Sequence, residues 1–216
     1  MSEKKQEFMN EGLFILGTGF LAEEVFALAT HAGLSVAGFI ENLDKQKDGT
    51  FLCDRPVLWV DRFPQGAECV CALATTKRRI FIEQVKERAR FFTLVHPSSI
   101  ILPKTTLGEG TLISTGVLIA SNTKIGRHVF LNRGARVGHH TQIGEYATIQ
   151  SGVNIAGAVE IGESTYIGMG ATVINRLKIG KGVTIAAGAV VIRDVPDHVL
   201  VAGNPAMIKK ENIDAR

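Results

Sequence analysis

The chain has 216 residues, 45% of them hydrophobic, and its 24 basic and 21 acidic side chains leave a net charge of +3. This length suffices for one large or two modest domains with real cores. The charge is mixed and forms no long basic run, so we expect no nucleic acid as a partner. No apolar stretch reaches the roughly 20 residues of a membrane span, and we expect no membrane partner either.

The amino terminus and the cysteines indicate the compartment. The first residues are polar and lack the apolar core of a secretion signal. Cys69 and Cys71 alternate in an apolar run, a pattern typical of buried free thiols rather than of a metal or redox pair. We therefore expect a cytoplasmic protein, because thiols stay reduced in that compartment.

Residues 1–94 are predicted to form a small, Rossmann-like α/β domain. Strand-like and helix-like segments alternate here, which is typical of a mainly parallel sheet. The predicted strands cover Gly12–Leu16, Ser35–Glu41, Cys69–Ala74 and Phe92–Val95, and the predicted helices cover about Phe20–His31 and Thr76–Arg90. A glycine turn, Gly17-Thr18-Gly19, joins the first strand to the first helix.

Residues 95–216 carry an unbroken repeat of six residues. An aliphatic side chain stands at every sixth position from Val95 to Val191, and a small or branched one follows each of them four residues later. A period of six fits neither a helix nor a hairpin sheet. It predicts a β-solenoid in which short strands wind up a three-sided prism, with 18 residues in each coil.

Glycines mark two of the three predicted edges of this prism. One ladder is Gly108, Gly126, Gly144, Gly162 and Gly180, and the other is Gly116, Gly134, Gly152, Gly170 and Gly188. Glycine suits corners that need a positive φ or a close backbone approach. The third edge carries polar groups in place of a ladder, among them His139 and His140, with Gly157 one coil further on. We interpret this edge as functional rather than as a solvated corner.

One outward face of the solenoid carries large apolar side chains. Its members in register are Leu112, Phe130, Thr148, Tyr166 and Thr184. A stripe of this kind should not stay in water. It predicts a cyclic oligomer, most simply a trimer, or cover by the chain's own tail.

The second half resembles a known group of enzymes. The unbroken repeat, the corner Val137-Gly138-His139 and the tail Val201-Ala202-Gly203-Asn204-Pro205-Ala206 are similar to left-handed β-helix acetyltransferases. The preceding α/β domain is similar to that of bacterial sugar acetyltransferases that act on sialic acids or nucleotide-linked amino sugars. The resemblance implies a left-handed parallel β-helix and a homotrimer. It also implies acetyl-CoA as cosubstrate, bound between neighbouring β-helices, and no metal.

The resemblance also implies roles for single residues. His139 matches the general base, and His140 beside it, the second catalytic candidate, stands where the family often has a carboxylate. Gly157 matches the position whose backbone N–H meets the thioester carbonyl. The other family contacts to the cofactor fall on Thr148, Met169 and Ala187.

In the first domain, the family holds its nucleotide sugar with a glycine-rich turn that contains a Gly-His pair. Here the glycine turn is present, and Phe20-Leu21 occupies the place of the pair. Acidic residues that end the second strand match Glu41 and Asn42, and a later polar turn matches Ala74-Thr75. The implied substrate-binding residues are Gly17, Gly19, Phe20, Leu21, Glu41, Asn42 and Thr75.

The leading hypothesis is an acetyl-CoA-dependent N-acetyltransferase acting on a nucleotide-linked amino sugar. Neutral His139 would accept the amine proton, and a rigid backbone N–H would stabilise the oxyanion, so no acyl-enzyme is needed. The alternative within this class is O-acetylation of a sialic acid or a related sugar. A hexapeptide-fold zinc carbonic anhydrase is less favoured, because the histidines lack an obvious spacing for three zinc ligands.

Two further alternatives come from other classes. Residues Gly17–Ala22 match the dinucleotide fingerprint Gly-x-Gly-x-x-Ala, and Glu41, about twenty residues on, could bind a ribose hydroxyl. The motif alone is weak and the domain is short, so binding a sugar nucleotide or making a tight turn is favoured over a dehydrogenase. A non-catalytic scaffold is the other alternative, against which the polar third edge counts.

Overall fold

The structure is a computed structural model that describes residues 12–76, 78–213 and 215. The chain divides into two compact units between Leu94 and Val95. The polar segment 1–11, which belongs to the predicted first domain, lies outside the described residues. Within the part of the chain that is described, no helix is long and apolar enough to cross a membrane.

The first unit is a six-stranded sheet with two helices. Its strands are β1 (Leu13–Leu16), β2 (Val36–Glu41), β3 (Phe51–Leu52), β4 (Arg55–Trp59), β5 (Ala67–Cys71) and β6 (Ala89–Phe91), and its helices are α1 (Phe20–His31) and α2 (Arg78–Val85). The strand order is β3-β4-β2-β1-β5-β6. All neighbours pair in parallel except β3 and β4, which form an antiparallel hairpin.

The core of this unit lies on both faces of the central strands. All four residues of β1 are buried, as expected for a strand in the middle of a parallel sheet. Helix α1 buries Ala22, Val25, Leu28 and Ala29. Cys69 and Cys71 are free and buried, as predicted, and burial raises the pKa of the Cys71 thiol to about 12.

One local prediction for this unit needs correction, and one element was missed. The predicted helix 76–90 is shorter, because α2 ends at Val85 and Ala89–Phe91 pair with β5 as its edge strand. Pairing with the sheet thus overrides the helical preference of the charged stretch between them. The hairpin of β3 and β4 was not predicted. Its two turn residues, Cys53 and Asp54, have φ of 47° and 58°, the geometry that two-residue hairpin turns use.

The second unit is a parallel β-solenoid, as predicted. Its strands are β7 (Leu94–Val95), β8 (Ile100–Ile101), β9 (Thr106–Leu107), β10 (Leu112–Ile113), β11 (Leu118–Ile119), β12 (Lys124–Ile125), β13 (Phe130–Leu131), β14 (Arg136–Val137), β15 (Gln142–Ile143), β16 (Thr148–Ile149), β17 (Asn154–Ile155), β18 (Glu160–Ile161), β19 (Tyr166–Ile167), β20 (Thr172–Val173), β21 (Lys178–Ile179), β22 (Thr184–Ile185), β23 (Val190–Val191), β24 (Leu200–Ala202) and β25 (Met207–Lys210). The repeating aliphatic residues point inward and form one continuous buried core.

These strands stack into three sheets, which are the faces of the prism. Sheet I has the order β7-β10-β13-β16-β19-β22-β24-β25, sheet II runs from β8 to β23, and sheet III runs from β9 to β21. Within the coils each strand pairs in parallel with the strand 18 residues away, for example Arg136 with Asn154. The third edge therefore lies between sheets II and III.

The two glycine ladders have different physical causes. Gly116 and its ladder have positive φ, for example 63° at Gly116, and space for a Cβ. Gly126 is instead needed for close approach, because a Cβ there would lie 2.7 Å from the backbone nitrogen of Glu145. A positive φ in fact recurs at every sixth residue from Lys104 to Gly188. On the third edge this position is held by Lys104, Asn122, His140, Ala158 and Arg176.

The apolar stripe on sheet I is already covered within a single chain. Leu112 is 2% exposed, Phe130 is 3% exposed and Thr148 is fully buried. Because these side chains are already buried in one chain, the stripe gives no argument for a trimer. That the chain's own tail covers it stays a prediction.

Two aspartates near the end of the solenoid accept backbone N–H groups of the coil before them. The backbone N–H of Lys178 donates to Asp194 Oδ1 at 2.8 Å, and that of Lys181 donates to Asp197 Oδ1 at 2.9 Å. The chain then turns back through Gly203-Asn204-Pro205-Ala206 and adds β25 antiparallel to β24. The tail motif thus lies in the turn of this terminal hairpin.

Candidate active site

The third edge holds His139 and Gly157 against each other. Backbone hydrogen bonds join successive corners, since Gly138 N–H donates to Ile155 O at 2.8 Å and Ala158 N–H donates to His139 O at 2.7 Å. A Cβ on residue 157 would lie 2.7 Å from both Cε1 and Nε2 of His139. Glycine at position 157 thus leaves room for the imidazole in its present place, and Nε2 lies at that contact.

His140 completes the corner as a partner of His139. The two Nδ1 atoms are 3.0 Å apart, and the rings meet edge to face with an interplanar angle of 86°. Both side chains are exposed to solvent in the single chain. Because Nδ1 of His139 is engaged, Nε2 is the ring nitrogen left to exchange a proton with a ligand.

A groove on another edge brings two of the predicted cofactor residues together. Met169 and Ala187 line a cavity of about 460 Å³ whose wall also contains Tyr166, Leu200 and Lys210. The cavity is mostly apolar and carries one cation, Lys210. Thr148 pairs with Tyr166 in sheet I but is fully buried, so it does not line this groove.

The predicted cofactor residues therefore lie on two different edges of the solenoid. Gly157 and His139 are on the third edge, whereas Met169 and Ala187 are on the edge between sheets I and II. Sheet II separates the two groups. One chain by itself does not bring the candidate base and the groove together.

In the first unit, the predicted substrate residues gather at one end of the sheet. Gly17–Leu21 follow β1, Glu41 and Asn42 end β2, and Thr75 follows β5. Strand β1 lies between β2 and β5, so the connection from β1 to β2 and the connection from β5 to β6 run toward opposite edges of the sheet. Ligands of open α/β sheets bind at such a reversal, beyond the carboxyl ends of the strands.

The carboxylate of Glu41 is hydrogen-bonded within the protein rather than open to a ligand. Its side chain is 5% exposed, and Oε1 accepts the backbone N–H groups of Asn42 and Leu43 at 2.8 and 2.7 Å. Oε2 accepts the Thr18 hydroxyl and lies 3.8 Å from Lys47 Nζ. Burial pushes the pKa of Glu41 up, but the hydrogen bonds from Thr18 and the turn outweigh it and leave the pKa below its usual value. This saturation counts against a ribose-binding role and hence against the dehydrogenase alternative.

Other groups at this end of the sheet remain open to a ligand. Phe20 is 93% exposed at the start of α1. Lys47 donates to Thr18 Oγ1 at 3.1 Å and is partly exposed, so its ammonium lies beside the glycine turn. Sequence reasoning missed Lys47; the only signal for it was its place in the polar loop after β2.

Asn42, by contrast, already has a partner, because its Nδ2 donates to Gln84 Oε1 at 2.8 Å.

His96 and His128 lie apart from the His139–His140 pair and have partners of their own. His96 Nδ1 lies 2.8 Å from Ser98 Oγ, and His128 stacks on Tyr146 with ring centroids 5.2 Å apart. Among the described residues, no three His, Cys, Asp or Glu side chains are placed to hold a metal ion together. The geometry of this single chain thus gives the zinc alternative no support.

Comparisons with known proteins identify the repeat and the fold. The family described as bacterial transferase hexapeptide (six repeats) matches residues 122–157 and 158–193. Perosamine N-acetyltransferase from Caulobacter crescentus, solved with CoA and GDP-perosamine, is 28% identical with a TM-score of 0.84 over 93% of this chain and 97% of that one. The predicted resemblance to bacterial sugar acetyltransferases is confirmed.

Two further solved structures show the same likeness. The acetyltransferase domain of PglB from Neisseria gonorrhoeae is 25% identical, with a TM-score of 0.83 over 93% of this chain and all of that one. WeeI from Acinetobacter baumannii is 29% identical, with a TM-score of 0.81 over 92% of this chain and all of that one. No curated protein sequence matches the chain significantly.

Proposed function

We propose that the protein is an acetyl-CoA-dependent N-acetyltransferase that acts on a nucleotide-linked amino sugar. The observation that carries this proposal is the imidazole of His139 held against Gly157 on a solenoid edge. Its support from comparison is the fold shared with an N-acetyltransferase solved with CoA and GDP-perosamine. A neighbouring structure solved with acetyl coenzyme A supports the same cosubstrate.

The proposed reaction is a direct transfer. The amine nitrogen of the sugar attacks the thioester carbonyl, and His139 Nε2 accepts the proton that the nitrogen loses. The backbone N–H of Gly157 donates to the oxyanion of the tetrahedral intermediate, a type of contact whose removal typically costs about 3–4 kcal/mol. The C–S bond then breaks, and CoA leaves as a thiolate that is protonated to the thiol.

The groove of Met169 and Ala187 suits the pantetheine arm of CoA. Its apolar wall fits the arm, and Lys210 provides a cation for a phosphate. Because this groove and His139 lie on different edges of one chain, we propose that a second copy supplies one of them. The proposed assembly is a homotrimer of left-handed β-helices, the simplest ring in which each copy gives its third edge to the next copy's groove.

Apolar side chains beside His139 support such an assembly. The third edge and the adjacent face of sheet II expose several large ones, in contrast to the covered stripe on sheet I. They are Ile100, Leu102, Leu118, Ile174 and Ile192, each more than a third exposed. Contact between copies at this edge would remove them from water.

For the first unit, we propose a Rossmann-like domain that holds the nucleotide part of the substrate at the glycine turn. Lys47 and Phe20 are its open groups, a cation for phosphate and an aromatic face for a ring. We propose the cytoplasm as its location, which agrees with the free thiols of Cys53, Cys69 and Cys71.

Release of CoA thiol tests this function. The purified protein is given acetyl-CoA with a panel of UDP-, GDP- and TDP-linked amino sugars and free sialic acids. We expect turnover on a nucleotide-linked amino sugar, with the product acetylated on nitrogen. Activity on free sialic acid alone would instead support the O-acetyltransferase alternative and demote the first unit as a nucleotide site.

Replacement of the proposed base tests the mechanism. His139→Ala is expected to lower kcat by about 10²–10⁴-fold, the usual contribution of a general base. His31→Ala, at the exposed end of α1, serves as the histidine control and should keep normal turnover. If His139→Ala keeps near-normal kcat while its assembly is unchanged, the base assignment is wrong.

A further inference from the structure

His140 occupies a corner position that does not demand a histidine. It holds the left-handed backbone conformation with φ of 57°, and the same position one coil before and one coil after is held by Asn122 and Ala158, with φ of 58° and 57°. The backbone of this edge therefore accepts three different residue types. What distinguishes His140 is its side chain, whose Nδ1 lies 3.0 Å from Nδ1 of His139.

Two imidazole nitrogens at this distance form a hydrogen bond only when one proton lies between them. When both rings are neutral, one Nδ1 must donate and the other must accept. If His139 donates, its Nε2 keeps a lone pair at the Gly157 contact. If His140 donates, the proton of His139 is on Nε2, and His139 cannot act as a base.

Only the arrangement in which His139 donates from Nδ1 keeps the contact between the two rings after His139 has accepted a proton. After His139 accepts a proton at Nε2, it is an imidazolium with protons on both nitrogens. It can still donate from Nδ1 to the lone pair of neutral His140, and this hydrogen bond becomes stronger because the donor is charged. In the second arrangement both Nδ1 atoms would carry protons, and the 3.0 Å contact would have to break.

We propose that His140 is a positioning residue that holds His139 in the tautomer protonated on Nδ1. It acts as a neutral imidazole that accepts a hydrogen bond from His139. His140 itself gains and loses no proton during the reaction. This inference rests on the proposed acetyltransferase function, because it assigns the tautomer that a base at His139 Nε2 requires.

The neighbouring coils suggest a matched pair of variants. His140→Asn places an amide oxygen where Nδ1 stood, so it can accept the hydrogen bond of His139 but cannot be protonated. His140→Ala removes the acceptor. Both residue types already occupy this corner, at Asn122 and Ala158, so both variants should keep the backbone.

Steady-state kinetics separate the two variants. We expect His140→Ala to lower kcat about tenfold, because the hydrogen bond to His140 is stronger when His139 becomes charged than when it is neutral, with the KM of both substrates unchanged. We expect His140→Asn to stay within about twofold of the unchanged protein, because it restores that hydrogen bond. Equal kcat for His140→Ala and the unchanged protein would overturn the inference, and so would a kcat for His140→Asn as low as that of His140→Ala.

The ring nitrogens give a readout that does not depend on turnover. The protein has six histidines, so ¹⁵N-histidine labelling gives a spectrum in which His139 can be assigned by its loss in His139→Ala. At a pH where the rings are neutral, we expect His139 to carry its proton on Nδ1 in the unchanged protein and in His140→Asn. In His140→Ala we expect both tautomers.

The two outcomes of failure are distinguishable. A proton on Nε2 of His139 in the unchanged protein would overturn the role of His140, whatever the activity. Absence of acetyl transfer to every acceptor, with the Nδ1 proton in place, would overturn the proposed function and leave the tautomer assignment standing.

Discussion

The third edge of the solenoid and the turn after β2 satisfy their backbone groups in opposite ways. On the third edge, corner N–H groups donate to carbonyls of neighbouring coils, as Ala158 does to His139. In the turn after β2, the N–H groups of Asn42 and Leu43 donate to the carboxylate of Glu41. At the His139 corner the backbone satisfies its own hydrogen bonds, so the side chains there are available to a substrate. In the turn after β2, the Glu41 carboxylate, which was predicted to bind substrate, instead stabilises the turn.

The largest expected effect comes from closing the space at Gly157. Gly157→Ala would place a Cβ 2.7 Å from Cε1 and Nε2 of His139, so the imidazole must move away. We expect kcat to fall about 100-fold or more, because a displacement of about 1 Å at the reacting groups has this cost. Steady-state kinetics on the intact assembly measure it.

Ala158→Gly is the matched control, since it removes a Cβ at the next corner position and adds none. It should keep kcat close to normal. A Gly157→Ala variant with normal kcat would mean that the contact between His139 and residue 157 has no part in the reaction.

Glu41 provides the second test, which concerns the turn rather than the chemistry. Glu41→Gln keeps the shape but replaces a carboxylate acceptor by an amide, whose nitrogen cannot accept hydrogen bonds. Loss of a hydrogen bond to a charged group is worth about 1.5–3 kcal/mol, and we expect an unfolding free energy lower by this amount. We also expect a higher KM for the nucleotide sugar and an unchanged KM for acetyl-CoA, because the turn positions Thr18 and Lys47.

The pH dependence of stability follows from the same carboxylate. Since the pKa of Glu41 is lower in the folded protein, its contribution is present at neutral pH and is lost as pH falls from the usual glutamate value through the folded one. Denaturant unfolding at a series of acidic pH values measures this slope. The slope should be shallower in Glu41→Gln, whereas Glu68→Gln, an exposed carboxylate on β5, should leave it unchanged. Identical slopes in all three proteins would remove the structural role of Glu41.

The same contrast explains what could be predicted from the sequence. In the solenoid, a period of six fixes which residues stack, so the placement of His139 beside Gly157 could be predicted by counting 18 positions. The role of Glu41 could not be predicted, because it depends on Thr18 and Lys47 meeting it only after the sheet has formed.

Elsewhere the sequence predictions failed where long-range packing decides. The end of α2 at Val85 depends on the pairing of Ala89–Phe91 with β5, which lies some twenty residues earlier. The burial of Phe130 likewise could not be predicted from the repeat. The repeat shows only that this side chain faces outward, not that other residues pack over it. Periodicity specifies register within the solenoid but not what packs against it.

The smallest expected effect lies at the last coil, where the solenoid itself needs a side chain to satisfy its backbone. Asp197 accepts the N–H of Lys181 at 2.9 Å, much as Glu41 serves its turn. Asp197→Ala should lower the unfolding free energy by about 1 kcal/mol, and kcat should not change, because Asp197 packs against Gly180 on a different edge from His139. Asp197→Asn keeps an acceptor oxygen and should recover most of the loss in a thermal melt. If Asp197→Ala and Asp197→Asn melt alike, the stability of the terminal coil does not depend on this hydrogen bond.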